Sequence, residues 1–321
     1  MQKNAYRYTK KMKVAFRSNQ LGVRGTEVAL FDYARYNEEI LGNESIIFSD
    51  PNANLAALDK FKERFDVRLM EWDETRKHIG SNGFDYFYTT HDGINRGQWL
   101  VDPPSLVHVV FRHNQPHGRH YVYISEWLAE NMGYERSKSL PYICEPLPST
   151  GENYRDTLGI PKDALVFGCY GGKTEFNIDF VQRACYQALQ AMPNLYFVFA
   201  NIRQFMKHER AIFLLGTYDM EEKGKFVDTC DAMIHARQRG ETFGLAVAEF
   251  AMAGKPVVTY KHVPEKAHLE ILGDYAITYE NTEDLMRIFT DFSPASVDYA
   301  LPYQKYVAPN VMQTFKTLIS E

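Results

Sequence analysis

Ala232-Met-Ile-His-Ala-Arg-Gln-Arg-Gly-Glu-Thr-Phe-Gly-Leu-Ala-Val-Ala-Glu-Phe-Ala-Met-Ala-Gly-Lys-Pro-Val-Val-Thr-Tyr260 holds the pattern on which the fold turns. A short apolar run ends near Ala236 and a polar loop follows. A helix opens at Gly244 or Leu245 and stops at Gly254, and Pro256 starts the next strand. Two strands joined by a helix are a parallel pair with a crossover. The same rhythm extends on both sides. Strands are predicted at Leu165–Tyr170, Leu195–Ala200, Ala211–Leu215 and Tyr275–Thr278, with helices at Asp179–Ala191 and Lys223–Cys230. Upstream, strands are predicted at Met12–Phe16, Ser45–Phe48, Phe84–Thr89, Leu106–Phe111 and Tyr121–Ser125, and a further short one begins at Tyr142. Helices fall at Gly25–Tyr36, Leu55–Phe65 and Glu126–Met132.

Between the two alternating runs, Glu145 to Asp163 carries Pro146, Pro148, Gly151, Gly159 and Pro161, the composition of a linker. The expected architecture is α/β, with two Rossmann-like doubly wound parallel-sheet domains facing a central cleft. The first spans 1–148, the linker 149–163 and the second 164–300. A helix-prone tail at about 301–321 is expected to pack back on the first domain.

Composition narrows the function. The chain has 321 residues, 24% of them charged, with a formal net charge of −5. That mild acidity offers no basic stripe for nucleic acid. No apolar run reaches the ~20 residues that a membrane helix needs. The basic start, with Lys3, Arg7, Lys10, Lys11 and Lys13, is not followed by an apolar run of leader length, and at most it touches an anionic membrane surface. Cys144, Cys169, Cys185 and Cys230 form no C-x-x-C pair and read as buried thiols. A soluble, cytoplasmic protein is the expectation.

Within the quoted stretch, Glu249 is the only polar side chain from Leu245 to Ala253. A helix that is apolar all round is buried. A carboxylate inside it is costly unless hydrogen bonds meet it there, and two ribose hydroxyls would do so. The open amides at Phe243, Gly244 and Leu245, with Thr242 beside them, suit a phosphate. Glu241 lies on the loop side, where a sugar beyond the phosphates would sit. The alternative is a structural Glu249 paired with a Lys or Arg, and a solvated Glu241.

Glu241-Thr-Phe-Gly-Leu followed by Glu249-Phe-Ala-Met-Ala-Gly-Lys-Pro-Val-Val resembles the E-x7-E signature of retaining glycosyltransferases of family four, which have the GT-B fold. Tyr123-Ile-Ser-Glu-Trp-Leu is similar to that family's strand-to-helix entry, and Lys225-Phe-Val-Asp-Thr-Cys-Asp-Ala to its helix before the site strand. The resemblance implies transfer of a hexose from a UDP- or GDP-sugar to a glycan or small-molecule hydroxyl acceptor, with no cofactor and no divalent metal. It implies that Glu241 meets the donor sugar and Glu249 the ribose, while cations neutralise the diphosphate. Gly22-Val-Arg-Gly25 resembles the first-domain glycine loop without its double glycine, and Arg24 there is a phosphate candidate. Gly171-Gly172-Lys173-Thr174 stands where the family has Gly-Arg, so Lys173 is read as the replacement cation. The second cation is missing, and Arg237 or Arg239 would compensate. The same tetrad falls one residue short of a P-loop.

His108, His113, His117 and His120 crowd one segment without neighbouring carboxylates or cysteines, which permits a zinc site or a plain aromatic-rich loop. The resemblance places His113 nearest the donor sugar, with Arg112 as a rival and His91 as a second candidate. Two other functions compete. A non-catalytic two-lobed nucleotide or sugar binder would have no use for Glu241. A nicotinamide-dependent oxidoreductase needs G-x-G-x-x-G at the first strand–helix turn, which Gly22 to Gly25 does not supply.

Overall fold

The computed structural model describes residues 11–321. It divides into two compact units, one of residues 11–22, 26–122 and 312–321, the other of residues 23–25 and 123–311. Of the basic N-terminal residues, Lys3, Arg7 and Lys10 lie outside the described ones. Lys13 hydrogen-bonds the Asn82 carbonyl at 3.3 Å and stands over the Phe84 ring, so it is tied to its own unit.

The first unit holds β1 (Lys13–Arg17), α1 (Gly25–Glu39) beyond its first residue, β2 (Glu44–Ser49), α2 (Leu58–Arg64), β3 (Asp66–Leu69), α3 (Trp72–Ser81), β4 (Tyr86–His91), β5 (Ser105–Val109) and β6 (His120–Tyr123) up to its last residue. Its sheet runs in the order β3-β2-β1-β4-β5-β6. Residues of β1, β2 and β4 are almost all buried, as strands covered on both faces must be. On one face Phe16 and Tyr88 meet Tyr33 of α1. On the other, Ala15, Ile46, Phe48 and Phe87 close on Ile79 of α3, with Trp72 at the margin.

The second unit holds α4 (Glu126–Asn131), β7 (Leu165–Tyr170), α5 (Asp179–Ala191), β8 (Leu195–Ala200), β9 (Ala211–Leu214), α6 (Met220–Thr229), β10 (Ala232–His235), β11 (Gly240–Glu241), α7 (Leu245–Met252), β12 (Val257–Tyr260), β13 (Glu265–Lys266), α8 (Ala267–Leu272), β14 (Ala276–Tyr279) and α9 (Thr282–Thr290). Its main sheet runs β14-β12-β10-β7-β8-β9. Renumbered within that unit, this is the strand order of the first sheet. Both sheets are therefore Rossmann-like, and the fold is the expected α/β pair. A last helix, α10 (Ala308–Ser320), carries the chain from the second unit's residues into those grouped with the first.

Some local expectations shift. Tyr142 and Ile143 form no strand, and the neighbouring Cys144 amide instead donates to the Tyr306 carbonyl. The predicted strand Tyr121–Ser125 stops at Tyr123, because Ser125 turns to cap α4, accepting from the Leu128 amide at 3.0 Å. The Pro/Gly-rich segment 145–163 is strapped to the second unit. Arg155 pairs with Asp231 at 2.9 Å and donates to the carbonyls of Thr229 and Ala164. A Cβ at Gly224 of α6 would stand 2.0 Å from the Pro148 carbonyl, so only glycine admits that approach. The four cysteines are free and buried. Among the described residues, no helix is long and apolar enough to cross a membrane.

Candidate functional site

The site grows from the loop between β10 and α7. β11 pairs in parallel with β13, Gly240 opposite Glu265. Gly240 has φ of 77°, and a Cβ there would stand 2.0 Å from the Glu265 carbonyl, so the close approach demands glycine. The next residues are pinned. Ser125 Oγ donates to the Thr242 carbonyl at 2.6 Å, and Phe243 is buried against Tyr142, Tyr303 and Tyr306. Gly244 then takes the left-handed conformation at φ 92° as the N-cap of α7. Lacking a side chain, it leaves the first-turn amides uncapped, at the positive end of the helix, with Leu245 and Ala246 partly exposed.

Glu249 is buried, as its apolar helix dictates. Its carboxylate is met by protein groups. Lys223 of α6 donates to Oε1 at 2.6 Å, and the Tyr170 hydroxyl at the end of β7 donates to Oε2. Lys223 also stands 4.7 Å from the Tyr170 ring centre. The paired alternative is thus the arrangement observed.

Glu241 is likewise engaged. Arg237 donates to Oε2 at 2.6 Å, and His235 Nε2 lies 3.2 Å from Oε1. Burial alone would raise this carboxyl, but the His235 hydrogen bond and the Arg237 charge outweigh it and bring it down to about 2. Arg237 also reaches Glu175, so its charge is shared between two carboxylates and is no spare phosphate cation. Arg239 is taken too, by the buried Glu265 at 2.8 Å. Lys173 is exposed and its ammonium has no ion pair among the described residues, which leaves it available. It follows Gly172, where a Cβ would stand 2.8 Å from Glu175 Cγ. The P-loop alternative falls away, because Gly171 to Thr174 leads into a loop and α5 starts only at Asp179.

The other predicted residues distribute as follows. Arg24 and Gly25 group with the second unit, and a Cβ at Gly25 would stand 3.7 Å from Leu245 Cδ2. Gly22 is grouped with the first unit, beside the Asn54 side chain. His113, with Arg112, is in the first unit on the loop after β5, where its carbonyl accepts from Tyr121. His91 is buried at the end of β4, and its Nδ1 accepts from the Gly93 amide at 3.1 Å. His108 faces the core, with the Tyr88 hydroxyl 2.6 Å from its Nδ1. The His91 and His117 rings meet edge to face at 5.5 Å while His108 points into the core, and no group of three metal-ligating side chains occurs among the described residues.

Residues 194–291 match the family model described as glycosyl transferases group 1. That span runs from the start of β8 to α9 and contains both glutamates. A comparison with curated proteins gives no match. Among solved structures, the chain is similar to Anabaena HepE in complex with UDP-glucose, at 15% identity and TM-score 0.72, over 97% of this chain and 100% of that one. It is also similar to a glycosyltransferase from Rickettsia africae, at 16% identity and TM-score 0.64, covering 97% and 96%. A third is a putative UDP-N-acetylglucosamine 2-epimerase from Listeria monocytogenes, at 12% identity and TM-score 0.58, covering 96% and 95%. At such identities the likeness establishes the fold, which hosts more than one reaction. The match to glycosyl transferases group 1 covers only residues 194–291, the part of the second unit that holds both glutamates.

Sequence reasoning missed Tyr170, Lys223, His235 and Thr259 in the matched segment and beside it. His235 and Tyr170 each end a strand, which is where ligands of open α/β sheets bind, and that signal was available. Lys223 and Thr259 reach the site only through packing.

Proposed function

We propose that this protein is a retaining glycosyltransferase of family four that moves a hexose from a UDP- or GDP-sugar to a hydroxyl acceptor without a divalent metal. The observation that carries the proposal is the start of α7, where uncapped amides lie between Glu241 and Glu249 within the matched segment. In this reading the second unit takes the donor and the first unit the acceptor. The amides of Phe243, Gly244 and Leu245 take the diphosphate together with Lys173, and Arg24 is a further phosphate candidate. Their role is electrostatic, supporting charge on the departing diphosphate.

The two glutamates keep capacity for substrate hydroxyls. A carboxylate offers about four acceptor positions. Lys223 and Tyr170 use one on each oxygen of Glu249, and His235 and Arg237 do the same at Glu241. Ribose and sugar hydroxyls would take the remainder, while the cations already on the protein side offset the cost of burying each charge. HepE, crystallised with UDP-glucose, favours a uridine donor as the first to try.

Calorimetric titration with UDP-glucose and GDP-mannose in the presence of EDTA tests this reading. One donor is expected to bind with the metal removed, and Glu249→Ala is expected to weaken it by about tenfold or more, the loss of a charge-assisted hydrogen bond. Unchanged donor affinity in a folded Glu249→Ala variant would refute the assignment. NMR of the product's anomeric centre decides retention.

A further inference from the structure

His235, Thr259 and His268 form a buried line of polar groups that ends on Glu241. His235 and Thr259 are register partners on neighbouring strands β10 and β12, so their side chains share one face. His235 Nδ1 lies 2.9 Å from Thr259 Oγ1, and Thr259 Oγ1 lies 3.2 Å from His268 Nε2 on α8. The His235 and His268 rings are 4.8 Å apart. Thr259 and His268 are fully buried, and His268 Nδ1 has no hydrogen-bond partner.

Counting protons gives this line a direction. A carboxylate only accepts, so the proton on His235 that faces Glu241 is on Nε2. If His235 is neutral, Nδ1 is a lone pair and Thr259 spends its single proton there. Thr259 must then accept from His268 Nε2–H, and His268 Nδ1 is left as a bare lone pair. If His235 were doubly protonated, its Nδ1–H would donate to Thr259, the hydroxyl would turn to His268 Nε2, and the His268 proton would move to Nδ1. That places a buried N–H against nothing, the costlier orphan. The partnerless atom is therefore tolerable only when the chain runs from His268 through Thr259 to His235 and on to Glu241. Burial also lowers His268, to about 3, which keeps it neutral.

We propose that Thr259 and His268 are positioning residues for Glu241. They hold the His235 ring neutral and oriented so that its Nε2–H fixes one carboxylate oxygen, leaving the other lone pairs aimed outward. The proposal's use for a donor sugar rests on the function proposed above, but the relay itself does not.

The test is NMR of 15N-histidine and 13C-glutamate in the full chain, as wild type, Thr259→Val and Thr259→Ser. Wild type and Thr259→Ser are expected to show His235 as a single neutral Nε2–H tautomer whose N–H exchanges slowly. In Thr259→Val, which keeps the side-chain volume, that slow signal is expected to be lost and the Glu241 carboxyl to titrate at higher pH. An imidazolium or Nδ1–H form of His235 in the wild type, or identical spectra in folded Thr259→Val, overturns the relay. A parallel titration compares UDP-glucose with UDP. Thr259→Val is expected to lose about tenfold of the preference for the sugar nucleotide, one hydrogen bond's worth, and Thr259→Ser to restore it. An unaltered preference overturns the positioning role. Failure of the wild type to bind either nucleotide refutes the donor reading instead, and the spectra still decide the relay.

Discussion

Glu241 and Glu249 show what burial demands of a charged residue. Neither stands alone. Glu249 takes Lys223 and Tyr170, and Glu241 takes Arg237 and His235. These arrangements make stability depend on acid in a definite way. The Glu241 carboxyl is brought from 4.5 to about 2, so its contribution is complete above pH 4.5 and is lost as the pH falls toward 2. His268 is lowered from 6.5 to about 3, mainly by burial, so the unfolded chain takes up that proton first as the pH drops below 6.5. Both act in the same direction, and urea unfolding is expected to show stability falling from about pH 6.5 downward. Glu241→Gln should flatten the profile between pH 4.5 and 2 and remove on the order of 3 kcal/mol at neutrality. A profile in that window unchanged by Glu241→Gln would show that the carboxylate is not held as described. The pair of glutamates was legible in the sequence, because a lone carboxylate in an apolar helix is conspicuous. Their partners were not. Lys223 is separated from Glu249 by 26 residues and Tyr170 by 79, and sequence spacing does not reveal such contacts.

At the scale of elements, α7 depends on a glycine. Gly244 has φ of 92°, and a Cβ there would stand 3.2 Å from Glu241 Cβ and from His268 Cβ. Gly244→Ala therefore combines backbone strain with a tight contact against two residues of the site. It is expected to cost about 1–3 kcal/mol, read as a lowered Tm, and to weaken nucleotide binding because the amides after it are re-aimed. A variant with wild-type Tm and binding would mean that the turn tolerates a side chain. The start and stop of α7 were readable from Gly244 and Gly254. Less visible were α3, the edge strand β3, α8 and α9, which went unread. β3 is only partly buried, so its apolar pattern is diluted, and α8 is a single short stretch of six residues.

At the scale of the molecule, two sheets with one strand order organise the chain, and the last helix runs from residues grouped with the second unit into those grouped with the first. Phe315 of α10 stacks among Phe16, Tyr33 and Tyr88 of the first unit, at centroid distances of 6.3, 5.4 and 5.8 Å. Phe315→Ala is expected to destabilise that unit by about 3–5 kcal/mol. Tryptophan fluorescence reports it well, because Trp72 and Trp99 lie in the first unit and Trp127 in the second. A midpoint unchanged in urea would mean that the helix end is not part of that core. The alternation of apolar runs and amphipathic helices, with glycine and proline at the joints, determined by itself that the chain folds as two α/β units. That information is local, since each strand and helix is specified by residues within a dozen positions. Which cation meets which carboxylate was decided only by tertiary structure. Parallel strands brought His235 beside Thr259, and α6 set Lys223 against α7. Such pairings depend on register and packing between segments far apart in the chain, which local periodicity does not encode.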